Sequence, residues 1–136
     1  MAERALELLA LPSDDVPKLI LDLGCGSGLA GNVIESKGHA WIGSDISPHM
    51  LAIARERALE ENSTSSDMDD DDDENMETSG HSTLVNDVFL QDMGEGVSFR
   101  PGTFDGCLSI SALQCLCHSN KSTENPRSRL SRLFST

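Results

Sequence analysis

Lys18-Leu19-Ile20-Leu21-Asp22-Leu23-Gly24-Cys25-Gly26-Ser27-Gly28 is the stretch that decides the fold. A compact apolar run ending at a glycine suits a strand buried on both faces of a parallel sheet. The glycines then let the backbone turn sharply and approach a ligand that a Cβ would exclude. A helical pattern follows over residues 29–37, with Gly38 placed as its C-terminal cap. The reading is strand, glycine loop, helix, with free N–H groups of the helix start at the sheet's upper edge.

The pattern repeats downstream. Residues 40–45 (Ala-Trp-Ile-Gly-Ser-Asp) read as a second strand, and Ser47-Pro48 as the N-cap and first turn of a helix reaching about Glu60. Alternation of strand and helix predicts parallel strands with right-handed crossovers. Residues 84–91 read as a third strand and 103–110 as a fourth, followed by a helix near Pro126. Upstream, Ala2, Ala5, Leu6 and Leu9 share one face of a short helix that Pro12 ends. The fold class is therefore α/β, a three-layer α/β/α parallel sheet.

Composition sets limits on this picture. The chain has 136 residues, enough for one domain, but its hydrophobic share is 38% and its aromatic share 4%, so part of the length is not expected to pack. The formal charge is -13, yet eight acidic residues lie between Asp67 and Glu77, and without them it would be -5. Residues 62–82, rich in Ser, Thr, Asp and Glu, are read as a disordered acidic insertion. Ser65 and Ser66, which precede acidic residues, are conceivable phosphorylation sites.

The one basic cluster, Arg127, Arg129 and Arg132, is where nucleic-acid contact within the chain would have to fall. Cys25, Cys107, Cys115 and Cys117 contain no CxxC pair and read as reduced, buried or half-buried thiols, with no metal site expected. No apolar run approaches a membrane span and no signal peptide stands out, so a soluble intracellular setting is expected.

Three carboxylates carry the chemistry. Asp22 precedes the glycine loop, Asp45 closes the second strand 23 positions later, and Asp92 follows the third. A carboxylate at the second strand end accepts from both hydroxyls of a ribose and repels a ribose phosphate, which disfavours NADP. At the third, it could accept from an adenine amino group. Each has a plainer role: tight turn for the loop, helix-start charge beside Ser47 for Asp45, turn residue before Met93-Gly94 for Asp92. Together they specify a nucleoside-binding crevice.

The spacing G-x-G-x-G and the segment Gly43-Ser-Asp-Ile-Ser-Pro-His-Met-Leu51 resemble the first two motifs of class I (Rossmann-like) S-adenosylmethionine-dependent methyltransferases. Asp92-Met-Gly-Glu-Gly and Phe99-Arg-Pro-Gly-Thr-Phe-Asp-Gly-Cys-Leu-Ser-Ile-Ser-Ala112 are similar to the eukaryotic 18S ribosomal RNA guanine-N7 methyltransferases. The resemblance implies an S-adenosyl-L-methionine site built from Asp22, Gly24, Cys25, Gly26, Gly28, Asp45, Ile46, Asp92 and Met93. Ser109, Ser111 and Gln114 would border the target base. It names no catalytic acid, base or nucleophile, because guanine N7 has a lone pair and no proton to lose.

By the same resemblance the substrate is 18S rRNA or its small-subunit precursor. The partner is a small zinc-binding activator protein at the third strand's edge, beside the acidic insertion. The setting is ribosome biogenesis in the nucleus and nucleolus, with the cytoplasm as a second location. Members have seven strands, so residues 1–136 are expected to form a partial domain with strands one to four. Two other readings stay open: a truncated remnant that binds without turnover, and a nicotinamide dehydrogenase, against which the shorter glycine spacing speaks.

Overall fold

The computed structural model describes residues 1–63, 86–118 and 125–135. Among them four strands form one parallel sheet: β1 (Leu19–Leu23), β2 (Ala40–Asp45), β3 (Asp87–Leu90) and β4 (Gly106–Leu108), in the order β3-β2-β1-β4. β1 pairs with β2 from Leu19 opposite Ala40 to Leu23 opposite Ser44, and with β4 from Ile20 opposite Gly106 to Asp22 opposite Leu108. Moving outward from β1 to β3 and then back to β4 reverses the strand order. A switch point therefore lies between β1 and β4, and ligands in such sheets bind beyond the strand ends at that point.

Helices α1 (Ala2–Leu8), α2 (Leu29–Ser36) and α3 (Pro48–Ser63) precede β3, and α4 (Pro126–Phe134) comes last. Alternation along β1 serves two cores. Ile20 packs with Leu6, Ile34, Trp41, Leu51 and Val88, while Leu21 and Leu23 pack with Val97, Leu116 and Leu133 of the other layer. Both faces of the strand are thus covered, which is why β1 reads as an unbroken apolar run. Trp41 is 2% exposed, and its indole N–H donates to Glu35 across 2.6 Å, so the ring's polar edge has a partner.

Between β3 and β4 the chain is held by aromatic edges. Phe99 meets Phe89 and Phe104 edge-on, with ring centroids 5.6 and 4.8 Å apart. Some boundaries differ from expectation. β4 covers three residues, because Thr103 closes a turn onto Arg100 and the Ser109 side chain turns back to β1. The described part of the third strand begins at Asp87; Leu84 and Val85 lie outside the described residues. α3 runs through Asn62 to Ser63, where the acidic insertion was expected to begin, and the rest of that insertion, with Ser65 and Ser66, lies outside the description. All four cysteines are free, but Cys25 alone is buried, against the expectation of thiols that are all at least half-buried.

Candidate cofactor crevice

β1 delivers the glycine loop to the switch point. Gly24 and Cys25 both donate their backbone N–H to the Ser44 carbonyl, at 2.7 and 3.0 Å, so the loop crosses directly over the end of β2. Gly24 has φ +76°, and a Cβ there would run into the Ala112 methyl, with the Met93 Cε 3.1 Å away. That position therefore needs glycine twice over, for its backbone angle and for its neighbours. The same observation brings the ends of β1, β3 and β4 together around one residue.

Asp45 is shared between the two motifs. Its Oδ2 accepts from Gly26 N–H at 2.9 Å and its Oδ1 from Ser47 N–H at 2.8 Å. The plainer role, a helix-start charge, is thus real, and it coexists with the other. A carboxylate has about four acceptor positions, so one on each oxygen remains for a ligand, a pair suited to two vicinal hydroxyls. Ile46 follows at 64% exposure, an apolar side chain beside that pair.

Asp22 is 1% exposed, and its Oδ2 has no hydrogen-bond partner among the described residues. Burial, with repulsion from Asp45 second, pushes its carboxyl up to about 6. A buried unpaired oxygen is costly, and beside the switch point it makes Asp22 a candidate acceptor for a ligand's donor. Burial also lifts the neighbouring Cys25 thiol to about 12, with Asp22 and then Asp45 adding to the shift, so Cys25 is a neutral thiol.

Asp92 lies two residues beyond β3 and caps the short 3-10 turn Met93–Glu95, accepting from Gly94 N–H at 2.8 Å. Its main partner was not foreseen: Arg129 of α4 bridges both oxygens, at 2.7 and 2.8 Å. Arg132 likewise reaches Glu95 at 3.0 Å. Two of the three arginines read as a nucleic-acid cluster therefore bind acidic residues of this chain. Beyond β4, the Ser109 hydroxyl donates to the Leu23 carbonyl at 2.9 Å and so ties β4 to β1. Ser111, with φ +56°, and Gln114 are both exposed near that rim.

With this geometry, a methyltransferase-domain family matches residues 20–86, from the first strand to the foot of the third. The 18S rRNA (guanine-N(7))-methyltransferase of Mus musculus is 47% identical over 136 residues, covering 100% of this chain and 39% of that protein. Residues 20–86 carry this methyltransferase domain. An Arabidopsis thaliana relative of the same description is 45% identical over 134 residues, 98% of this chain and 38% of its own length. The chain thus spans about two-fifths of the relatives it matches. Magnesium protoporphyrin IX methyltransferase of Synechocystis PCC 6803, solved with bound S-adenosylmethionine, superposes with a TM-score of 0.61 over 98% of this chain and 51% of its own. At 20% identity that likeness shows the fold, which is Rossmann-like and incomplete relative to the longer relatives.

Proposed function

We propose that this methyltransferase chain binds S-adenosyl-L-methionine and serves methyl transfer to guanine N7 of 18S ribosomal RNA in ribosome biogenesis. The carrying observation is Asp45, which ties down the glycine loop and keeps one acceptor position on each oxygen. In this reading Asp22, Gly24, Cys25, Gly26 and Gly28 line the methionine and ribose end. Asp45 holds the ribose, Ile46 packs on the adenine, and Asp92 with Met93 addresses it from the other side. The unpaired Oδ2 of Asp22 fits such an occupant.

When bound, the cofactor supplies a methyl group on a sulfonium that is already activated. The residues of the chain are left with placement and electrostatics, since N7 offers its lone pair without losing a proton. No acid, base or nucleophile is assigned. Ser109, Ser111 and Gln114 border the base. The identity to the 18S rRNA enzymes supports the substrate class. A nuclear and nucleolar setting, with the cytoplasm as a second, and a zinc-binding activator at the β3 edge belong to the same proposal. Among the described residues no helix is long and apolar enough to cross a membrane.

The test is methylation of small-subunit RNA by the purified chain, alone and with the activator, read as N7-methylguanosine. Methylated guanine supports the reading, and methylation at another atom overturns the substrate assignment. A second reading, binding without turnover, is favoured by the edge position of β4 among the described residues, where Phe104 and Phe134 line an apolar groove. Cofactor binding without any methylated product would decide for it.

A further inference from the structure

The acceptor positions on Asp92 are divided differently from those on Asp45. Oδ1 of Asp92 accepts from Gly94 N–H and from Arg129 Nη2, while Oδ2 accepts from Arg129 Nη2 alone. Among the described residues, one acceptor position on Oδ2 is left. Asp45 offers a pair, as a diol needs; Asp92 offers one, as a single N–H needs.

Arg129 is built into this arrangement. Its side chain is 14% exposed and that of Asp92 30%, so the pair is largely withdrawn from solvent. Gly94 leaves room for it, since a Cβ there would run into the guanidinium. α4 is fixed at its start by Asn125, whose Oδ1 accepts from Arg127 and Ser128 N–H, and further along by buried Leu133. Arg132 and Glu95 form a second, exposed rung one helical turn on, at 53% and 68% side-chain exposure.

We infer that Arg129 is a specificity-determining positioning residue, which orients Asp92 so that its one remaining acceptor on Oδ2 selects a ligand carrying a single N–H donor, such as the exocyclic amino group of an aminopurine. The inference rests on the cofactor reading above. Arg129 acts through Asp92 and touches no ligand itself.

The test compares the affinity of the whole chain for S-adenosylhomocysteine with that for its purine analogue lacking the 6-amino group, by calorimetry. A hydrogen bond to a charged acceptor gives the wild type a preference of about 10- to 100-fold. Arg129→Ala should shrink that ratio to about threefold or less, lowering the affinity for S-adenosylhomocysteine and leaving that of the analogue nearly unchanged. Arg129→Lys, whose ammonium can also bridge both oxygens, should restore most of it, and Arg132→Ala should leave it intact.

Circular dichroism establishes that each variant is folded, and Arg129→Gln reads the same ratio if Arg129→Ala does not fold. A wild-type ratio preserved in the folded Arg129 variants overturns this inference alone. A folded wild type that binds neither compound overturns the cofactor reading and this inference with it.

Discussion

The backbone N–H of Gly26 donates to Oδ2 of Asp45 across 2.9 Å, tying the tip of the glycine loop to the end of the neighbouring strand. The bond makes the shape of the loop depend on the side chain that we propose as the ribose acceptor. Asp45→Ala leaves the N–H groups of Gly26 and Ser47 without this acceptor, at a cost of about 1–3 kcal/mol. We expect a lower melting temperature and at least a tenfold weaker hold on S-adenosylmethionine. Asp45→Asn, which keeps one acceptor oxygen, should fall between. Calorimetry on the three proteins checks the order.

Asp22 predicts an unusual pH dependence. Its folded pKa of about 6 lies above the ordinary 3.8, so the native chain holds a proton that the unfolded chain releases. The contribution is therefore fully present below about pH 4 and is lost as pH rises through about 6. Two units correspond to about 3 kcal/mol at most. Asp22→Asn should remove this loss, making the unliganded chain more stable at pH 7 by roughly 1–3 kcal/mol while weakening cofactor binding. Urea unfolding from pH 4 to 7 measures it, and parallel curves for the two proteins would refute the assignment.

Gly31 of α2 lies against the Trp41 ring, which a Cβ there would enter. Overpacking of this kind costs about 1–3 kcal/mol, more than the helix propensity gained from alanine in most cases. Gly31→Ala should thus lower the unfolding midpoint and shift the emission of Trp41, the sole tryptophan. Cofactor affinity should stay within about twofold, because the loop's own bonds run through Ser44 and Asp45.

Asn125 caps α4, and its replacement by alanine should cost about 1 kcal/mol. The loss should appear in urea unfolding without any change in the far-UV spectrum of the native chain.

The sheet was legible where a local pattern suffices. The apolar run at Leu19–Leu23 ends at glycine, and Ala40–Asp45 ends at a helix start, so both strands match within a residue. β4 was read too long because it pairs with β1 alone, and composition does not show where one-sided pairing stops. The spacing of Asp45 from the glycine loop drew attention to a residue that does bond that loop, through Gly26 N–H. The Arg129–Asp92 bridge was not, since it joins positions 37 apart through the return of α4. Three arginines in a short segment look like a phosphate-binding cluster until the acidic partners of Arg129 and Arg132 are seen.

The central claim is that this crevice takes S-adenosylmethionine. Its most direct test is calorimetric titration of the folded chain with S-adenosylmethionine, S-adenosylhomocysteine and NAD. The account predicts saturable binding of the first two, lost in Asp45→Ala, and none of NAD. NAD binding, or no binding of either sulfur compound by a folded chain, would contradict it.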